Sequence, residues 1–519
     1  MQKNFILFVV LSFAITIACW FGFRESRSQQ NYQSQTKSQN TIDTDTHVSK
    51  VQDTNLNTSD TNDQYTKEEQ INIKTKQCKV TLTNKGAAIL SWSVQEKNGQ
   101  WVDLVFPGSA PVMVNFPDSV YKIVSKSNDK IVFEYASREG WKITKTYNLS
   151  DTYMHNLSIV VENPKNAAVP QINIGWGPGL GADNKKTKEN VYETRALAYT
   201  ANKPNKLKKL KTDSELASLY KWAAIDNRYF LAAFIPEQPE DFDKIILAKS
   251  DKEHPYALTL TGIVPIDVTM KKYSVNFYLG HKGYTHLETY NLGLEKTVDF
   301  GFFGFFGKII FKVLTYFYKL THNYGWAIIM IAVVIQILVS PLTLKGLKSA
   351  AAMKRIQPAI KDMQTKYKDN PQRLQAEMLN IYKSQKVNPL GGCLPMLFQL
   401  PIFYAFFQMV KNAYELRNEG WILWIKDLSA PDQFMHFGSF NFNLLPLLMG
   451  LGMLFQQKMT TATSDPTQKM MMYAMPVVFT MVLWFSPSGL VIYWITNSIF
   501  SMIGQYFVMK KDSVRVKHF

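Results

Sequence analysis

The sequence predicts a multi-pass α-helical membrane protein of six spans, with a large antiparallel β-sandwich inserted after the first span. Three observations predict it. Apolar runs of about membrane length occur at the N-terminus and recur from residue 324 onward. Between Ile71 and Gly293 the hydrophobic period is two, in short segments broken by Asn, Gly, Pro and Asp. Basic residues gather in alternate loops between the apolar runs, the bias expected of loops kept on the cytoplasmic side.

Composition narrows the function classes. The chain has 519 residues and a formal charge of +17, more than one domain's length. Such a surplus fits nucleic-acid binding or membrane-loop bias. Its placement beside apolar runs favours the second, so no direct DNA binding is expected. The three cysteines, Cys19, Cys78 and Cys393, form no CxxC and no Cys/His cluster. No zinc site or disulfide framework is expected, a Cys19–Cys78 bridge being the minor alternative, and no cofactor is expected.

Residues 1–23 open with Lys3 and run apolar from Phe5 to Phe23. No small-x-small cleavage site is clear, and Thr16 is a poor residue three before a lipidated Cys19. The reading is an uncleaved first transmembrane anchor with a cytoplasmic N-terminus. Residues 24–70 are rich in Asn, Gln, Ser, Thr and Asp and read as a flexible linker, because they bury too little to offset ordering entropy.

Residues 71–298 read as the β-sandwich. Lys79–Thr83, Ser91–Val94, Lys130–Tyr135, Trp141–Tyr147 and Asn156–Val161 alternate apolar and polar. KPNKLKKLK, from Lys203 to Lys211, reads as a solvated loop. His155, His254, His281 and His286 have no metal-ligand spacing, and GPGLG at Gly177 reads as a turn. Sugar binding on this domain stays open.

In 299–322, Lys308, Lys312, Thr315 and Lys319 recur at four, three and four on one helical face, with Phe305, Ile309, Ile310 and Phe317 on the rest. This predicts an interfacial amphipathic helix, its ammonium groups at lipid headgroups. Ile309 stands where a P-loop needs Ser or Thr, which excludes that motif. The second span, 324–344, has no formal charge; its one strongly polar group is Gln336. A glutamine there serves either a water-facing site or a helix–helix hydrogen bond.

Residues 345–393 predict a cytoplasmic helical hairpin. From Lys345 to Leu394 there are ten Lys/Arg against three Asp/Glu. Met353, Ile356, Ile360, Met363 and Tyr367 form an apolar stripe beside Arg355, and Asn370-Pro371 restarts the helix. Pro358 should kink the first helix without ending it. Asn388–Phe407 (NPLGGCLPMLFQLPIFYAFF) then begins as a turn and ends inside the third span, 394–410. Trp421 and Trp424 follow as interface anchors. The fourth span is 442–457, the fifth 470–485 and the sixth 490–509, with a loop from Lys458 to Lys469 and a basic cytoplasmic tail at 510–519. The third to fifth spans are short against the usual twenty or so residues, which implies a locally thinned bilayer. In the sixth span Tyr493, Asn497, Ser501 and Gln505 recur every four residues, a polar stripe. With Gln336 it predicts either a hydrophilic groove or a set of interhelical hydrogen bonds.

Several motifs carry a resemblance. Pro341-Leu342-Thr343, Asn388–Cys393, Pro401-Ile402-Phe403, Trp424-Ile425, Asp427-Leu428, Asp465-Pro466 and Pro487–Leu490 are similar to the YidC membrane protein insertase family, over about residues 299–510. The long β domain resembles the Gram-negative form. The resemblance implies a supersandwich-like periplasmic domain and a five-helix insertase core in the bacterial inner membrane, both termini cytoplasmic. It implies a groove open to cytoplasm and lipid, lined here by Gln336, Tyr493, Trp494, Asn497, Ser501 and Gln505. Expected partners are nascent membrane proteins, the Sec translocon, ribosome–nascent-chain complexes and the lipid bilayer. It implies no enzymatic activity: burial of the substrate's own apolar segment drives insertion. Gln336 departs from the pattern, since the family usually has Arg five residues before Pro-Leu-Thr. The competing class is a Sec-dependent assembly chaperone with little insertion of its own; a membrane-tethered carbohydrate-binding protein is the weaker alternative.

Overall fold

The computed structural model describes residues 67–106, 119–165, 167–169, 171–181, 194–200, 207–209, 214–217, 220–248, 257–262, 264, 268–368, 370–385, 387, 394–438, 440–460 and 466–516. The expected first anchor, most of the linker, Cys19 and the Asn388–Cys393 motif lie outside the described residues.

Strict alternation produces the β domain. A four-stranded sheet runs β1 (Gln70–Lys74), β2 (Cys78–Thr83), β3 (Ala88–Gln95) and β4 (Trp101–Asp103) in that order. The central strands of the domain are β5 (Lys122–Lys126), β6 (Lys130–Ala136), β7 (Lys142–Asn148), β8 (Met154–Glu162) and β9 (Ile172–Trp176). Then come β10 (Arg195–Thr200), β11 (Leu207–Lys209), β12 (Ser214–Ala217), β13 (Tyr220–Asp226) and β14 (Phe230–Pro236). Finally come β15 (Lys244–Ala248), β16 (Ala257–Gly262) and β17 (Met270–His281). Nine of them form one sheet, β11-β10-β13-β14-β17-β8-β7-β6-β5, and four form another, β12-β15-β16-β9. Strand pairs throughout are antiparallel. Alternate residues of β8 are buried, whereas every residue of β14 is buried, as for a strand covered on both faces. The first sheet packs on the nine-stranded one: Trp92 of β3 meets His155 edge-on at 4.8 Å and Phe277 at 5.6 Å.

One sequence expectation changes here. Leu207–Lys209, inside the stretch read as a solvated loop, is the edge strand β11, paired to β10. A basic composition is compatible with an edge strand, because its pairing to β10 is made by backbone groups.

Lys145 is fully buried in this core, its Nζ donating to Gly86 O at 2.7 Å and lying 5.1 Å from the Tyr121 ring centre. Burial pulls its ammonium down to about 7. The folded value lies below the unfolded one, so the stabilisation is full above the unfolded lysine range and is lost as pH falls through about 7. The β domain should therefore gain stability between pH 7 and 9, by up to about 2 kcal/mol. Hydrogen exchange of β7 in the whole protein checks this; Lys145→Met should flatten the slope.

The helices follow. The short α1 (Tyr284–Glu288) leads to α2 (Gly304–Thr321). The expected interfacial helix thus starts at Gly304, because Asp299 is used otherwise: its Oδ1 accepts from Gly301 N at 2.9 Å and its Oδ2 from Arg195 at 3.0 Å. On α2, Ile310, Phe311 and Leu314 are buried, while Lys308, Lys312 and Lys319 are exposed alongside Phe305, Ile309 and Tyr316. Next is α3 (Tyr324–Lys366), 43 residues long, started by Asn323, whose side chain accepts from Gly325 N and Trp326 N. It runs without a break through Pro341 and Pro358, so the stretch expected as the second span and the stretch expected as the first hairpin helix are one helix. Pro341 gives Ile337 O no amide partner; Ser340 Oγ donates to that oxygen at 2.7 Å. Asn370 caps α4 (Pro371–Ser384), accepting from Arg373 N at 3.1 Å.

The remaining helices are α5 (Leu394–Asn412), α6 (Leu444–Thr460), α7 (Pro466–Leu483) and α8 (Ser488–Val516). They overrun the apolar limits read from sequence. The tail expected at 510–519 is helical to Val516, and α6 and α7 extend into the loop expected at Lys458–Lys469. A change to polar composition marks where lipid ends, not where a helix does. Among the described residues α3 is the one helix long and apolar enough to cross a membrane by length and composition, with Tyr473–Leu483 a shorter apolar stretch. Exposed apolar side chains nevertheless belt the bundle, among them Leu338, Phe398, Leu451, Met481 and Phe507. Helices α6 and α7 approach closely at Gly450, where an added Cβ would lie 2.2 Å from Thr480 Oγ1.

The β domain seats on the loop after α5. Glu96, at the end of β3, accepts from Arg417 Nε at 3.0 Å and Asn418 Nδ2 at 2.6 Å. Lys97 Nζ donates to Glu415 O at 2.6 Å and Glu419 Oε1 at 2.8 Å. His281 stacks on Tyr414 with ring centres 4.3 Å apart, and Thr285 N donates to Glu415 Oε1 at 3.0 Å. Burial raises the Glu415 carboxyl and pulls the His281 imidazole down to about 3.

Candidate functional site

The polar groups of the bundle gather on α3, α5, α6 and α8. Gln336, Ser340 and Thr343 of α3 and Ser501 and Gly504 of α8 line a cavity of about 100 Å³, alongside Leu347 and Phe500. Its rim is lipid-like, since Ile337 and Leu344 are exposed. Ser501 Oγ accepts from Gln456 Nε2 of α6 at 2.9 Å.

One helical turn back from Ser501 stands Asn497, and a further turn back the Tyr493 hydroxyl accepts from Gln399 Nε2 of α5 at 2.6 Å. Tyr493 is fully buried and its ring stacks on Phe406 at 4.2 Å. Trp494 packs between Phe403, at 5.1 Å, and Phe479, also at 5.1 Å. One turn beyond Ser501, Gln505 is 5 % exposed. Of the six groove residues expected from sequence, Gln336 and Ser501 thus share one cavity. Asn497 and Gln505 flank Ser501 along the same stripe. Tyr493 and Trp494 face α5 and α7 packing partners.

Sequence reasoning missed Gln399, Gln456 and Ser340. Gln399 is a single polar residue in an apolar run, the signal that singled out Gln336, whereas Gln456 stands at the polar end of its run beside Gln457 and Lys458. Three buried oxygens, Gln457 Oε1 on α6 and Asn497 Oδ1 and Gln505 Oε1 on the stripe, have no hydrogen-bond partner among the described residues. Buried acceptors of this kind are matched by water or ligand.

On the hairpin, Ile356 of α3 and Met378 of α4 are buried, whereas Met353, Ile360, Met363 and Tyr367 are half-buried and Arg355 is exposed. The Arg373 guanidinium lies 5.3 Å from the Tyr367 ring centre, tying α4 to the end of α3. At the other end of the bundle, a wider apolar cavity of about 410 Å³ lies between Ile329, Trp421, Leu445, Ile492 and Phe500. Trp424 Nε1 donates to Asp432 at 2.9 Å, so that indole is fixed by the loop. Among the described residues no group of three His, Cys, Asp or Glu is placed to hold a metal ion.

Comparison with known proteins matches both halves. The family described as YidC periplasmic domain covers residues 70–313, and that described as 60Kd inner membrane protein covers 316–515. The two halves define an inner-membrane protein with a β-rich periplasmic domain on a helical core. A membrane protein insertase YidC of Endomicrobium trichonymphae is 67% identical over 519 residues, 100% of both chains. One of Syntrophus aciditrophicus (strain SB) is 32% identical over 479 residues, 86% of each. A crystal structure described as an active YidC insertase with its first transmembrane domain resolved is 18% identical, with a TM-score of 0.40, covering 85% of this chain and 93% of that one. The chain belongs to the YidC membrane protein insertase family.

Proposed function

We propose that the chain receives nascent inner-membrane proteins at the α3–α4 hairpin and admits their polar segments to the groove between α3 and α8. The apolar segment then passes into lipid over the exposed face of Ile337 and Leu338. One observation carries this reading: the side chains of Gln336, Ser340 and Ser501 line a mostly apolar cavity beside exposed apolar side chains of the same helix. Polar side chains set in an apolar wall lower the cost of moving polar chain into the bilayer. The driving force is burial of the substrate's own apolar residues, so no bond is made or broken and no nucleotide is needed.

The six-span topology, both termini cytoplasmic, belongs to this proposal, as do the limits of the membrane segments: anchor 1–23, interfacial helix Gly304–Thr321 and spans at 324–344, 394–410, 442–457, 470–485 and 490–509. So do the Sec translocon and the ribosome–nascent-chain complex as partners. The basic hairpin supports a cytoplasmic receiving role, and the lysines at 308, 312 and 319 support a headgroup contact for α2.

The test is insertion of a short single-span substrate into proteoliposomes, with and without the translocon. Insertion by the protein alone is expected; insertion only with the translocon would favour the assembly-chaperone reading. Gln336→Ala should lower autonomous insertion by roughly threefold to tenfold, about the worth of one hydrogen-bonding group. Loss of insertion for every substrate would show that Gln336, not hydration and thinning, does most of the work.

A further inference from the structure

A second, larger cavity lies at the β-domain end of the bundle. Its volume is about 410 Å³, between Ile329 of α3, Leu445 and Leu448 of α6, and Ile492 and Ile499 of α8, under a roof formed by residues 421–425. The roof is fixed by its own bonds. Trp421 N donates to Ile425 O at 3.0 Å, and Leu428 N to Glu419 O at 2.9 Å. Trp421 packs on α3 where Gly325 leaves room, since an added Cβ there would lie 2.1 Å from the indole. Leu423 holds a left-handed φ of 56° with its side chain exposed, a conformation costly for leucine and kept only where its surroundings impose it.

Three of the lining side chains carry a polar atom, and each withholds it from the cavity. Thr496 donates to Ile492 O at 2.8 Å, Trp424 Nε1 donates to Asp432 Oδ2 at 2.9 Å, and Trp421 Nε1 is buried. Water would find no side-chain partner there, so the space suits an apolar occupant. Size selects the kind. One turn of helix, about 5 Å long and about 10 Å across, would already fill it. A cavity of about 150 Å³ holds benzene, so this one takes on the order of sixteen carbons in file. Its mouth faces lipid, because Ile422, Leu448 and Ile499 of the lining are exposed. Lys426 follows the roof and is exposed. Of the acids beside it, Glu419 is paired with Lys97 at 2.8 Å, and Asp427 accepts from Ser429 N and Oγ, both at 2.8 Å. An exposed ammonium next to an apolar slot matches a phosphate next to a fatty chain. The same loop seats the periplasmic domain through Glu415 and Arg417, which sets the leaflet. We infer that this cavity holds one acyl chain of a phospholipid from the periplasmic leaflet, with its phosphate at Lys426.

The experiment uses the whole protein in vesicles of phosphatidylethanolamine and phosphatidylglycerol. The vesicles are doped with a phospholipid bearing a photoreactive group near the end of one acyl chain, and labelled peptides are read by mass spectrometry. Labelling at 421–425 and 492–500 should saturate at about one lipid per chain and exceed that around the exposed Leu451 roughly fivefold or more. Leu448→Trp fills the slot and should cut that labelling by about fivefold or more, whereas Leu451→Trp, outside the lining, should leave it within about twofold. Lys426→Gln should lower it about fivefold, the worth of one basic group at a phospholipid surface. Labelling no denser at the slot than around Leu451 would mean bulk lipid alone and would overturn the inference, with no variant needed. Labelling unmoved by Leu448→Trp or by Lys426→Gln would overturn it too. Chain-to-chain crosslinks from a photoreactive residue at Ile499, in place of lipid labelling, would give the cavity to a second copy and overturn it as well.

Discussion

Asp226→Ala should lower the unfolding midpoint of the periplasmic domain by on the order of 10 °C. Asp226 is completely buried at the end of β13. Its carboxylate accepts from Arg195 Nε at 3.0 Å and from Lys282 Nζ at 2.9 Å. Lys282 is 3 % exposed, so removing the carboxylate leaves an ammonium in the interior without its counter-charge. Breaking such a pair from one side costs about 3–5 kcal/mol. The effect should reach beyond the strand, because Arg195 also donates to Thr297 O at 2.8 Å and Asp299 at 3.0 Å, on the segment leading into α2. Thermal unfolding of the whole protein, with hydrogen exchange read on β10, β13 and residues 294–301, checks this. A midpoint within a degree or two of the parent would mean that the interior cations find other acceptors.

Arg417→Ala should release the periplasmic domain from the helical core without unfolding either. The Arg417 guanidinium lies 2.9 Å from one Glu96 oxygen and 3.0 Å from the other, and packs 4.4 Å from the Tyr229 ring centre. Glu96 is 5 % exposed, so its carboxylate would keep only Asn418 as a partner across the junction. The expected loss of docking is again about 3–5 kcal/mol. Exchange should rise at 413–429 and 281–289 while β7, β8 and the middle of α3 stay protected. Glu96→Met combined with Arg417→Met should recover much of the loss, since an apolar pair carries no desolvation penalty. If the single variant leaves exchange at both segments unchanged, the seat is held by the Lys97 and His281 contacts instead.

How much of this was legible in the sequence depends on how local the signal is. Alternation along Lys142–Asn148 and the lysine spacing on α2 are short-range patterns, and both elements form where the patterns lie. The restart at Asn370-Pro371 is equally local, since one side chain caps one turn. Glu96 and Arg417 are 321 residues apart; nothing near either announces the other. Leu207–Lys209 looked like a loop because an edge strand can be as basic as one, its pairing being a backbone matter. The polar stripe on α8 was read from its four-residue spacing. That spacing could not tell a residue turned toward the cavity from one turned into packing, so Tyr493 resembles its stripe neighbours in sequence yet stacks on Phe406. Gln399 stands alone in an apolar run and Gln456 at the polar end of one, beside Gln457 and Lys458; only the folded bundle brings them to Tyr493 and Ser501.

The unbroken run of α3 has a mechanical consequence. From Tyr324 to Lys366 it is one rod of about 65 Å, of which about 38 Å lies beyond Pro341. Pro341 lacks the amide that would stiffen that turn, and Ser340 bridges the gap with a softer side-chain bond. The proline is therefore a fulcrum, with the hairpin on the long arm and Gln336 one turn away on the short one. A bend of about 10° there swings the hairpin tip by about 6 Å while moving Gln336 by only about 1 Å. The hairpin can thus travel by several ångströms while the cavity wall at Gln336 stays nearly still.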